Sequence, residues 1–320
     1  MRIGLGVGDF TPGMSDITGV PATVDILIEQ SQRAERDGFA SCWFSNIFGF
    51  DAILAAALCG RSTSRIELGT AITPTFPRHP TAMAQQALSA QAACAGRFTL
   101  GIGLSHKPVI EAMFGLSFAK PYSHIREYLS VLTPLIRSGS VNFSGDEFQV
   151  NAHLAVTGAT PFPVLLGALG PKMLALAGGE ADGTITWMTG PKTLSEHIVP
   201  RINEAAADAG RAAPRVVVGL PIALTTDVAA GRESAERIFR VYGRLPSYRA
   251  MLDREGADGP GGIAIVGDRS ALAEQLDRLR ALGTTDYLAV PFPVGSDPQE
   301  SLERTREFLV EQLPADPAPA

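Results

Sequence analysis

The chain has 320 residues, 45% of them hydrophobic and 19% charged, which supplies a large core and too little charge to keep the chain unfolded. Its 27 basic residues against 33 acidic ones leave a net charge of -6, so nothing draws it as a whole to nucleic acid or anionic lipid. Cys42, Cys59 and Cys94 form no CxxC pair, which argues against a disulfide framework or a zinc site.

Short apolar runs recur along the chain at 3–7, 41–45, 66–72, 98–102, 164–168, 183–187, 216–220 and 287–291. Each is near-continuously apolar, as strands covered on both faces are, and helical stripes separate them. Val24, Leu27, Ile28 and Ala34 make one stripe. Ile125, Leu129, Leu132 and Ile136 make another, in which Pro134 removes a backbone donor and is expected to kink the last turns. Leu272, Leu276, Leu279 and Leu282 make a third. Eight strands alternating with helices predict a (β/α)8 TIM barrel, a single domain over residues 1–313.

Two stretches exceed the minimal repeat. Residues 141–158 carry turn residues between short extended pieces, and 232–262 end a helix in a glycine cluster expected to be flexible; either is a candidate lid. Residues 314–320 are expected to be a disordered tail. No run reaches the ~18 apolar residues of a membrane span, and the start MRIGLGVGDF lacks a signal-peptide pattern, so a cytoplasmic protein is expected.

Familiar motifs are mostly missing. Gly4, Gly6 and Gly8 do not have dinucleotide-binding spacing, and the phosphate-loop, zinc-protease and serine-hydrolase signatures do not occur. His79, His106, His124, His153 and His197 show no metal-ligand spacing, so no metal is expected. The unusual sequence instead follows successive strands, where such a barrel keeps its chemistry. After the second, Asn46 offers both a donor and an acceptor to a planar heterocycle, or else caps the helix near Asp51. After the third, Thr73 to Pro80 is a proline-stiffened track ending near Arg78. After the fourth, Gly103 permits close approach, while His106 and Lys107 supply a proton donor and a cation. After the fifth, Gly170 and Pro171 read as a helix start whose Lys172 and Met173 amides can face an anion, or as an ordinary turn.

These residues resemble the luciferase-like oxidoreductases, and within them the branch that uses the deazaflavin coenzyme F420. The likeness spans nearly the whole chain and is most visible in LGTAITPTFPRHP at 68–80, AKPYSHIRE at 119–127 and LGALGPKML at 166–174. Methylenetetrahydromethanopterin reductase is similar in all three, and the F420-dependent glucose-6-phosphate dehydrogenase in the first and third. The resemblance implies a coenzyme lying across the carboxyl ends of the strands, a cis Ala71-Ile72 bond walling one ring face, and contacts from Thr73 and Pro74. It implies that Ala168, Leu169, Gly170, Pro171 and Lys172 hold the phosphate, with Lys107 or Lys172 meeting the carboxylates of the tail.

Where relatives place aspartate and histidine after the second strand, this chain has Asn46 and Ile47, and where they place an acid after the fourth it has His106. His106 is therefore the expected acid, or a residue supporting one, and Asn46 the expected partner of the ring. Trp187 lines the substrate pocket on this reading, or is a core indole. The expected activity is hydride transfer between F420 and a small organic substrate, in a homodimer. The alternatives are an FMN-dependent monooxygenase and a non-catalytic flavin or deazaflavin binder.

Overall fold

A computed structural model describes residues 1–314. The apolar runs become eight parallel strands: β1 Arg2–Val7, β2 Ser41–Phe44, β3 Glu67–Thr70, β4 Phe98–Gly103, β5 Val164–Leu166, β6 Gly183–Trp187, β7 Arg215–Leu224 and β8 Asp286–Pro291. They pair in chain order, and β8 closes on β1 in register Arg2 with Asp286. The result is a closed (β/α)8 barrel. Residues burying both faces, such as Cys42, Trp43 and Phe44, explain why these strands read as continuous apolar runs rather than alternating ones.

Several boundaries differ from the sequence expectation: the fifth run stops at Leu166 and the seventh extends to Leu224. The third run, expected over 66–72, stops at Thr70, and Thr73–Pro74 resumes as a two-residue strand against Ile102 and Gly103 of β4. Between them lies the Ala71-Ile72 bond, which is cis, as the resemblance implies. The helix expected through Pro134 spans Pro121–Ser138 with that proline inside it: Leu132, Leu135 and Ile136 are buried on its inner face, and that packing outweighs one missing hydrogen bond. The stretch 232–262 is not one helix with a loose end. It forms the helices Val228–Phe239 and Pro246–Glu255, separated by a short turn, and its glycine cluster is packed. Gly259, Pro260 and Gly261 are buried, and the Gly261 amide donates to Glu236 at 3.0 Å.

The stretch 141–158 contains the antiparallel hairpin Ser140–Ser144 and Gln149–His153. The carboxylate of Glu127, on the helix Pro121–Ser138, accepts from the amides of Asp146, Glu147 and Phe148 and so fixes the hairpin tip. Of the expected tail, positions 315–320 lie outside the described residues. Among the described residues no helix is long and apolar enough to cross a membrane.

Arg215 closes the end of the barrel where the strands begin. It pairs with Glu67 at 2.6 Å and Asp286 at 2.8 Å, 5.4 Å from the ring of Trp43. That end is filled, and the opposite rim carries the long loops.

Candidate active site

Four neighbouring strands, β2 to β5, send their following loops to one rim, because parallel strands all end at the same pole. Ala71 donates its amide to Phe44 O at 2.8 Å, Thr75 to Gly103 O at 2.9 Å and Gly167 to Ile102 O at 2.8 Å, which locks the loops edge to edge. Asn46, Ile72, His106 and Gly170 therefore share one face of the molecule.

Ile72 lies across the ends of β4 and β5. A Cβ on Gly103 would come 2.8 Å from Ile72 Cδ1, and one on Gly101 only 2.0 Å from Thr70 O. The bareness of these glycines thus serves the bulge of β3, not only a ligand. Next to Ile72, the Thr73 hydroxyl is buried and has no hydrogen-bond partner among the described residues. An orphaned donor and acceptor costs free energy in a closed interior, so a polar ligand atom is its natural complement.

Asn46 spends its side-chain oxygen on the helix Ala52–Arg61, accepting from Ala52 N at 3.1 Å and from Arg78 Nη2 at 3.4 Å, while Arg78 also pairs with Asp51. Its oxygen is a cap, and among the described residues its amide nitrogen has no protein partner. The next loop is buttressed from behind, where His124 stacks on Phe76 with ring centroids 4.0 Å apart and meets Thr75 Oγ1 at 3.0 Å.

His106 is half-buried, its ring 5.3 Å from that of Tyr248 on the helix Pro246–Glu255. Burial lowers its pKa below the ordinary histidine value, which favours the neutral imidazole. Tyr248 stands against Tyr242, Tyr242 against Trp187, and Trp187 against Phe10, making a continuous aromatic wall. Tyr242 donates its hydroxyl to Phe10 O at 2.6 Å. The carboxylate of Glu255 accepts from the Lys192 and Thr193 amides at 3.0 and 2.8 Å, pinning this roof to the loop after β6. Trp187 thus belongs to the wall, and among the described residues its indole nitrogen has no partner.

At the start of the helix Pro171–Gly179, Gly170 is the cap, with nothing within 4 Å of where its Cβ would be. The carbonyl of Leu169 is held by the buried His197 at 2.8 Å. The Lys172 ammonium is 6.0 Å from the Tyr122 ring, and the exposed Lys107 is 3.8 Å from Glu111. Ala168 is buried beneath this turn, its carbonyl accepting from Thr184 at 3.4 Å.

The sequence matches the luciferase-like monooxygenase family over residues 5–315. The chain belongs to this family. It is 28% identical over 290 residues to a 5,10-methylenetetrahydromethanopterin reductase of Methanolobus tindarius, covering 88% of this chain and 86% of the relative. To an F420-dependent glucose-6-phosphate dehydrogenase of Amycolatopsis mediterranei it is 28% identical over 298 residues, covering 88% and 84%. Its fold is similar to that of the coenzyme F420-dependent tetrahydromethanopterin reductase of Methanopyrus kandleri, with TM-score 0.77 and 22% identity over 98% of this chain and 97% of the other. It is also similar to the FMN-bound oxygenating component of 3,6-diketocamphane monooxygenase from Pseudomonas putida, with TM-score 0.72 and 18% identity over 99% of both.

Sequence reasoning missed Tyr242, Tyr248 and Glu255, which roof this luciferase-like barrel, and saw in His197 only an unremarked histidine. No local pattern marks them, because their partners come from distant strand ends.

Proposed function

We infer that the protein is an oxidoreductase that binds coenzyme F420 across this rim. When bound, the reduced coenzyme supplies hydride from carbon 5 of its deazaflavin to a small organic substrate, or takes it back. The observation that carries the reading is the convergence on one rim of a hydrocarbon wall at Ile72, an unpartnered buried hydroxyl at Thr73 and a helix start left open at Gly170. The group fits the residues present: Ile72, Pro74 and Gly103 offer a flat apolar seat, and Ala168, Leu169, Gly170, Pro171 and Lys172 form a turn whose free amides suit a phosphodiester. Lys107 and Lys172, both at the surface, suit the carboxylates of the tail.

The protein's share is orientation and electrostatics. The amide nitrogen of Asn46 is free to donate to a ring carbonyl. His106, kept neutral by burial, accepts a proton from an alcohol-like substrate and returns it in the reverse direction. The wall of Phe10, Trp187, Tyr242 and Tyr248 bounds the substrate and excludes water. The two relatives named for F420 or its methanopterin partner reaction match most of this chain, which favours the deazaflavin; an FMN monooxygenase is the second reading, supported by the FMN-bound structure of the same fold.

Three buried free thiols suit a reducing compartment such as the cytoplasm. A second copy of the chain is the proposed partner, supported by Phe48, Leu54 and Leu58, which leave an apolar stripe exposed along the helix Ala52–Arg61 and the loop before it.

The test is titration of purified protein with F420 and with FMN by fluorescence, followed by candidate acceptors added to the reduced complexes without air, with sedimentation run on the same sample. F420 binding, anaerobic turnover and a dimer are expected. Tight FMN binding without response to F420 rejects the first reading, F420 binding without turnover over a broad panel leaves a binder, and a monomer rejects the partner.

A further inference from the structure

We propose that His197 is a positioning residue for the anion seat: by holding the Leu169 carbonyl it keeps the Gly170 and Met173 amides free for the coenzyme's phosphodiester. This rests on the F420 reading above. His197 is 2% exposed, and its Nε2 lies 2.8 Å from Leu169 O. Arg201 Nε, always a donor, meets Nδ1 at 3.1 Å. Nδ1 is therefore the acceptor, Nε2 carries the hydrogen, and the tautomer that can donate to Leu169 is fixed from the surface.

Two consequences follow from peptide geometry. In a planar trans peptide the carbonyl and the next N–H point in opposite directions. Turning Leu169 O toward His197 thus turns the Gly170 N–H away from it, on a residue whose Cβ position is open space. Leu169 O is also the acceptor that the Met173 amide would use if the helix wound back by one residue. The first helical bond instead runs from Leu174 N to Gly170 O at 2.9 Å. With the Leu169 carbonyl turned to His197, the helix begins at Gly170, and Met173 keeps its amide unspent as first-turn amides do, where the helix field favours an anion.

The experiment compares F420 with its phosphate-free ribityl deazaflavin, which has the same ring and no tether charge. Loss of one oriented amide contact to an anion predicts that His197→Leu weakens F420 about tenfold. The ribityl compound should bind as before, and His197→Gln, which keeps a side-chain donor, should restore most of the loss. Arg201→Met removes the tautomer lock without opening the core, since Arg201 is exposed, and should weaken F420 alone by about twofold to threefold, a partial loss of the same contact. It decides the matter should His197→Leu fail to fold. Equal weakening of both ligands, or no weakening of F420 in the folded variants, overturns the positioning role. A wild-type protein that binds neither ligand overturns the F420 reading and this one with it, whereas normal wild-type binding with indifferent variants overturns this one alone.

Discussion

Two glycines flanking Ile102 on β4 differ in what a methyl group would strike, and the difference separates fold from site. On Gly101 it would meet the Thr70 carbonyl at 2.0 Å, a backbone atom tied in place because the Thr70 hydroxyl bonds both the Gly101 carbonyl, at 2.7 Å, and its amide, at 2.9 Å. On Gly103 it would press on the end of the Ile72 side chain, Cδ1 at 2.8 Å and Cγ1 at 3.2 Å, with no backbone closer than 3.9 Å. Overpacking against backbone has no cheap relief, so Gly101→Ala should cost about 3 kcal/mol, whereas Gly103→Ala should cost about 1 kcal/mol as Ile72 swings aside. The displaced side chain then intrudes on the seat assigned to the ring. Coenzyme binding should weaken several-fold in Gly103→Ala and recover in the double variant with Ile72→Val, which removes the clashing methyl. Denaturant unfolding and fluorescence titration read both quantities, and additivity of the two substitutions in binding would show that they do not share this contact.

At the scale of elements, the helix Pro121–Ser138 holds the loop after β3 through an imidazole. His124 is buried between Phe76, Tyr128 and Phe148, and that burial pulls its pKa down to about 4. An unfolded histidine takes up a proton near pH 6.5, so between the two values the unfolded state binds one proton more than the native state. Stability from this group is complete above pH 6.5 and is lost as the pH falls towards 4, by about 2 kcal/mol between pH 7.5 and 5. His124→Gln, which can still reach Thr75, should unfold with that much less pH dependence; an unchanged slope would show that the imidazole is already protonated in the native protein. This buttress also illustrates what a sequence discloses. All eight strands were legible because burial on both faces leaves runs of apolar residues, and the loops of the rim were legible because a barrel's chemistry follows its strand ends. Whether Asn46 caps a helix or faces a ring was not, since the answer depends on Arg78 arriving from the next loop. The roof of Tyr242 and Tyr248 was hidden for the same reason.

For the molecule as a whole, the barrel divides labour between its ends. Burial pushes the Asp286 pKa up, and the Arg215 guanidinium more than offsets this and holds it below the ordinary carboxylate range. Arg215 joins β7 to β3 and β8, and Arg2 reaches Asp286 from β1 at 2.7 Å. Removing Arg215 leaves a carboxylate that is 2% exposed with only Arg2 and the Thr285 hydroxyl, at 2.7 Å each, as side-chain partners. Breaking a buried pair from one side is costlier than never having built it, so Arg215→Met should destabilise the fold by about 3 kcal/mol, the low end of the usual range because Arg2 remains. The rim proposed to seat the coenzyme lies at the other pole, across a packed interior that includes Trp43, and none of the hydrogen bonds described there passes through Arg215. The variant's affinity for F420 should therefore stay within about twofold of the parent under conditions where both are folded, as expected for distant sites without shared partners. A parallel loss of stability and affinity would instead mean that the strands transmit strain from one pole to the other, and that the two ends of the barrel are one mechanical unit.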